Sequence, residues 1–166
     1  KKGGINQVAQ ALASPLKNIS TATRVLGIDT AKREIELSSG NREKYDYLIS
    51  TIPLPEIPQL IRGIPQETLF LFKKLKWNSI FNLNLGLEIK DRFDKHWIYF
   101  PQKDISFFRL GFAHNFSVHT APADKSSLYA EVSYSKDKPL DKNNIVGRIK
   151  QDLNKLGIIS KNERIC

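Results

Sequence analysis

The side chains with the most chemistry to offer lie in the middle third of the chain. Trp97 and Tyr99 alternate along one short stretch, Arg109 follows ten residues later, and Asn82 and Asn84 precede them. Indole and phenol rings present flat stacking surfaces with hydrogen-bonding tips. A guanidinium among them donates paired, coplanar hydrogen bonds, which suits a phosphate or a carboxylate. Such a set can hold a planar ring joined to an anionic group. It contains no activated nucleophile and no acid–base pair, so these residues are read as binding groups, with no catalytic residue assigned. A plainer reading stands beside it: a wet sheet face in which aromatics serve strand propensity and Arg109 pairs with Glu131.

Other candidate chemistry is weaker. His96, His114 and His119 lack the spacing of a helical zinc pair, and no cysteine or acidic cluster accompanies them, so they read as loop or surface histidines and no metal is expected. Asp91, Asp94 and Asp104 lack the glycine and terminal glutamate of a calcium loop. Ser126-Ser127 has no flanking elbow glycines for acyl transfer. Asn115-Phe116-Ser117 is formally a glycosylation sequon, but no secretion signal is visible.

These residues must be positioned by strands. From Ile80 the apolar period is two: Phe81, Leu83, Leu85 and Leu87 point one way, Asn82 and Asn84 the other. Strands are predicted over 97–100, 107–113 and 128–134. Alternation then puts Ile98, Phe100, Phe108, Leu110, Phe112, Leu128, Ala130 and Val132 on one apolar face. Asn82, Asn84, Trp97, Tyr99, Phe107, Arg109, Gly111, Tyr129 and Glu131 fall on the other. Gly111 would let a ligand or another backbone approach.

Upstream, Gly3-Gly4 opens a short helix with Ile5, Val8 and Leu12 at helical spacing. Two strands, 20–28 and 34–37, are joined by a turn. The apolar run Tyr45–Ile52 reads as a strand buried on both faces. Helices are predicted at 55–61, from Pro65 to Leu75, and from Ile145 to Leu156, with Gly157 as a stop. The fold class is α+β: an antiparallel sheet of about four to six strands, with helices packed on one face.

Bulk properties set outer limits. The chain has 166 residues and a formal net charge of +9. That charge suits nucleic acid, an anionic membrane, a phosphorylated small molecule, or simply a solvated lysine-rich surface. The basic residues are scattered and no nucleic-acid motif is present, which counts against nucleic acid. No apolar run approaches the ~20 residues of a membrane span. One cysteine, Cys166, excludes a disulfide framework and fits a reducing, cytoplasmic setting. With no methionine at all, the chain reads as a piece cut from a longer polypeptide.

The succession Trp97-Ile-Tyr99-Phe-Pro101, Phe107-Phe-Arg109, Asn115-Phe-Ser117, Pro122 and Ser127-Leu-Tyr-Ala-Glu131-Val-Ser133 resembles the flavin-dependent UDP-galactopyranose mutases, above all their eukaryotic-type branch. Lys2-Gly3-Gly4-Ile5-Asn6-Gln7 resembles the glycine pair and helix by which that family, and the wider amine oxidase and protoporphyrinogen oxidase superfamily, approach the flavin. Leu48 to Pro53 resembles the strand that returns from the flavin domain. The resemblance implies an FAD enzyme in which the reduced flavin attacks the anomeric carbon of UDP-galactose, so that pyranose and furanose forms interconvert with no net redox change. It also implies that Arg109 contacts the diphosphate while Tyr99 and Trp97 line the nucleotide site. Asn84 joins them as a candidate substrate residue, and Gly3 and Gly4 as candidate cofactor residues.

The resemblance divides the chain into 1–53, part of the FAD-binding domain, 54–142, the substrate-binding sheet and helices, and 143–166, a helix leading onward. The G-x-G-x-x-G fingerprint is absent, and Gly4-Ile5-Asn6-Gln7-Val8 stands where the mutases carry Gly-Thr-Gly-hydrophobic-Trp. Catalysis by this chain alone is therefore not expected. The expected partners are a UDP-sugar and the remainder of the parent chain, and the expected pathway is cell-surface polysaccharide synthesis. The alternatives are an amine oxidase- or protoporphyrinogen oxidase-like oxidoreductase, in which Arg109 is structural, and a non-catalytic module for an anionic ligand.

Overall fold

In the computed structural model, residues 4–90, 93–117, 119–160 and 162–165 are described. In chain order the elements are α1 (Asn6–Ala13), β1 (Val25–Asp29), β2 (Glu34–Leu37), β3 (Arg42–Lys44), a 3₁₀ helix (Leu54–Gln59) and α2 (Gln66–Lys73). They continue with β4 (Ser79–Leu87), β5 (Trp97–Tyr99), β6 (Arg109–Phe112), α3 (Ala113–Phe116), β7 (Ser126–Tyr134) and α4 (Ile145–Lys155). The chain forms two compact units, one of Ala13–Lys76 and one of Lys1–Leu12 with Trp77–Cys166. The fold is α+β with antiparallel sheets, as expected.

In the Ala13–Lys76 unit, turn chemistry builds a three-stranded meander in the order β1-β2-β3. The Asp29 carboxylate accepts the Lys32 N–H at 2.9 Å, and Arg33 takes a positive φ of 51° to bring the chain back. Gly40, at φ 86°, makes the second turn. Ile28 and Leu37 are its buried apolar side chains.

The expected strand over Tyr45–Ile52 does not form. The third strand is Arg42–Lys44, and the apolar run beyond it carries Tyr47 at 93% and Ile49 at 90% exposure. The reason lies in the pairing. β3 bonds to β2, while the outer side of β1 is met by the end of the 3₁₀ helix. There Ile28 donates to the Leu60 carbonyl at 2.8 Å and accepts from Arg62 at 2.9 Å. The Ile28 edge is thus taken by Leu60–Arg62, and the run that follows β3 pairs with no described strand.

In the other unit, β4, β7, β6 and β5 lie side by side in that order, all antiparallel. Alternation produces the two faces that the sequence predicts. One carries the core: Leu85, Leu87, Leu110, Phe112, Leu128, Ala130 and Val132. Helix α4 closes it with Ile145, Ile149 and Leu153, three buried residues at helical spacing. Gly157, at φ 68°, ends α4. Its N–H reaches the Asn154 carbonyl at 3.0 Å and that of Ile158 reaches Leu153 at 2.9 Å, so two end carbonyls are satisfied and Ile158 folds back onto the core.

Alternation fails at one point, the entry to β6. Phe107 is buried in the core edge-on to Phe100, and Phe108 lies beside Tyr99 on the other face, the reverse of the expectation. The register partner of Glu131 is Arg109, yet the Phe108 N–H also donates to the Glu131 carbonyl, at 2.9 Å. Two residues stand opposite one, and that extra residue turns the preceding side chain over. The strand also ends sooner than expected, because Ala113 opens α3.

Candidate functional site

Register lays the polar face out in rows. One row runs Asn82, Glu131, Arg109, Tyr99 across β4, β7, β6 and β5. The next runs Asn84, Tyr129, Gly111, Trp97. Cross-strand partners on one face sit ~5 Å apart, and successive rows are ~7 Å apart.

Arg109 is the hub of the first row. Its Nη2 donates to Glu131 Oε1 at 2.7 Å, its Nε donates to Glu131 Oε2, and its Nη1 reaches the Tyr99 hydroxyl at 3.3 Å. The guanidinium carbon lies 5.8 Å from the centre of the Tyr99 ring and 6.0 Å from that of Phe108. The hydrogen bond to Glu131, helped by that to Tyr99, holds the guanidinium pKa above its ordinary value. Burial is graded across the pair: the Glu131 side chain keeps 11% of its surface exposed and Arg109 keeps 31%. The carboxylate is thus the floor of the site and the cation its open side.

Trp97 and Tyr99, both on the edge strand β5, are half exposed, at 50% and 57%. Trp97 stacks on Phe116 of α3, with ring centres 5.8 Å apart and planes 17° apart. His96 meets the same Phe116 edge-on at 4.8 Å. Asn115 fixes this corner by donating its amide to the carbonyls of Phe93 and Lys95 at 2.8 and 2.7 Å, which ties the start of β5 to α3. The sequon side chain is therefore a structural clamp.

The expected residues separate by position. Arg109 and Tyr99 touch, and Trp97 lies one row on. Asn84 shares the face but sits on β4, the opposite edge from β5, ~14 Å away by strand spacing. The opening expected at Gly111 is filled by the protein itself: an added Cβ would stand 2.0 Å from Cζ of Tyr129. Phe108 and Phe116 were not singled out. An aromatic within the Asn115-Phe116-Ser117 string was the one available signal for Phe116.

Gly3 lies outside the described residues. Gly4 precedes α1 in open space, where an added Cβ would meet nothing within 4 Å.

The histidines have local roles: His114 Nδ1 lies 3.0 Å from the Ser127 carbonyl oxygen and 3.2 Å from its nitrogen. Asp94 and Asp104 pair with Lys95 at 3.0 Å and Lys155 at 2.6 Å, and Asp91 lies outside the described residues. Among the described residues no helix is long and apolar enough to cross a membrane.

One face of this antiparallel sheet is packed under a helix, and the other bears a cation flanked by aromatic rings. The chain belongs to the flavin-containing amine oxidoreductase family, whose model matches residues 2–164. Among solved structures, reduced UDP-galactopyranose mutase superposes with a TM-score of 0.90 at 23% identity, covering 99% of this chain and 38% of that one. An oxidoreductase from Methanosarcina mazei gives 0.76 at 14% identity, covering 99% of this chain and 41% of that one. A protein from Pyrococcus furiosus gives 0.67 at 12% identity, covering 87% and 36%. These likenesses concern the fold, and the chain spans about two fifths of each of these structures. No curated protein matches it by sequence.

Proposed function

We propose that this chain is the substrate-binding portion of an FAD-dependent enzyme that acts on a nucleotide sugar as UDP-galactopyranose mutases do. Residues 54–142 supply the substrate layer and the segment up to 53 belongs to the flavin side. The observation that carries the reading is the Arg109–Tyr99–Trp97 group, a cation and two half-exposed rings on the open face of the sheet. Arg109 binds the diphosphate with its free N–H groups, Tyr99 caps the same anion through its hydroxyl, and the Trp97–Phe116 stack offers a flat wall one row away. Bound reduced FAD, approached by Gly3 and Gly4, supplies the nucleophilic flavin chemistry at the sugar. The residues of this chain bind and orient the substrate. The single cysteine fits a reducing, cytoplasmic setting.

The test is titration of the full-length protein with UDP, followed by chromatography of UDP-galactose after incubation with the reduced enzyme. Saturable binding and a furanose product support the reading, and indifference to UDP ends it. The second reading, a flavin oxidase, is favoured by the family match and by the oxidoreductase among the structural neighbours. Arg109 and Glu131 would then form a structural ion pair. Hydrogen peroxide production from an amine or another reduced substrate, with no response to UDP, selects it.

A further inference from the structure

A guanidinium has two edges that can each grip an anion in fork fashion: a side edge, Nε with Nη2, and an end edge, Nη1 with Nη2. Glu131 occupies the side edge with both of its oxygens. The carboxylate is the more buried member of the pair and stands directly opposite Arg109 in the register. In its row the other side chains are Asn82 and Tyr99, neither of them charged. Arg109 is therefore gripped from the protein side, and its end edge is left beside the Tyr99 hydroxyl.

We infer that Glu131 is a positioning residue: it fixes the Arg109 guanidinium so that the end edge, with Tyr99, presents a preformed fork to a diphosphate. This deepens the proposed function and rests on it. The inference has a sign that simple electrostatics does not share. A carboxylate next to an anion site repels the anion, so removing its charge without regard to geometry tightens binding. If Glu131 acts by orienting Arg109, removing it weakens binding, because the guanidinium must then be ordered at the ligand's expense.

The experiment compares UDP and uridine affinities of the full-length protein by calorimetry, for the wild type, Glu131→Gln and Glu131→Asp. Glutamine removes the charge and turns one acceptor into a donor facing N–H groups. Aspartate keeps the charge but withdraws the fork by one methylene. The expected result is a loss of about tenfold or more in UDP affinity in both variants, as for a broken charge-assisted pair, with uridine affinity unchanged. If Glu131→Gln does not fold, Glu131→Asp alone decides. Unchanged or tighter UDP binding, or equal loss for UDP and uridine, overturns the inference. Failure of the wild type to bind UDP sinks the proposed function itself, a separate outcome.

Discussion

Gly111 stands where Tyr129 lays its ring, and the two positions form one unit. Alanine there would place a Cβ 2.0 Å from Cζ and 2.4 Å from Cε1, so the ring must swing off the sheet. We expect Gly111→Ala to cost ~1–3 kcal/mol in denaturant unfolding of the full-length protein, the usual cost of overpacking. In a Tyr129→Ala background the same change should be neutral or slightly stabilising, because a strand glycine without a neighbour to accommodate only adds chain entropy. An equal cost in both backgrounds would refute the steric account. The two faces were legible in the sequence, since period-two alternation fixes which side chains share a face, while the rows depend on a strand order and register that alternation does not carry. The side-chain direction at Phe107 and Phe108 was not, because the extra residue opposite Glu131 has no marker in composition. Nor was the use of the space at Gly111, because Tyr129 lies eighteen positions further along the chain and is adjacent only by register.

At the scale of elements, α4 seals the core of the second sheet. Leu153 is fully buried and leads into the Gly157 stop, where Ile158 packs back. Leu153→Ala should destabilise by ~2–5 kcal/mol, read as a lower denaturant midpoint with a similar slope. A change below ~1 kcal/mol would show that α4 does not close this core. The outer face of α4 is held more weakly, by Lys155 and Asp104 at 2.6 Å. Their hydrogen bond lowers the Asp104 pKa below 3.8 and raises that of Lys155 above 10.5. The Asp104 contribution is present above 3.8 and fades as pH falls through its lowered value. That of Lys155 is full below 10.5 and fades as pH rises through its raised value. Both groups are largely solvated, so Lys155→Ala should lower the unfolding midpoint only slightly at neutral pH, and the gap should close at both extremes. A gap that persists at low pH would point to packing by the lysine stem. The helix and its stop were readable from the Ile145, Ile149, Leu153 spacing and Gly157. The 45–52 run was misread because apolarity alone does not say which neighbour covers a segment.

For the whole molecule, the chain matches the flavin-containing amine oxidoreductase family over residues 2–164 and spans about two fifths of each solved structure compared. The charge of +9 never localised to one surface in the sequence, and the polar face carries a single arginine in its first row, itself paired with Glu131. Recognition therefore falls on geometry more than on field. The most direct measurement is the UDP affinity of the full-length protein with Arg109→Ala set against wild type. A loss of ~2 kcal/mol or more, about thirtyfold, is predicted for removal of a charge-assisted contact to the diphosphate. Equal affinities for the two proteins would contradict the assignment of this sheet face to a nucleotide sugar.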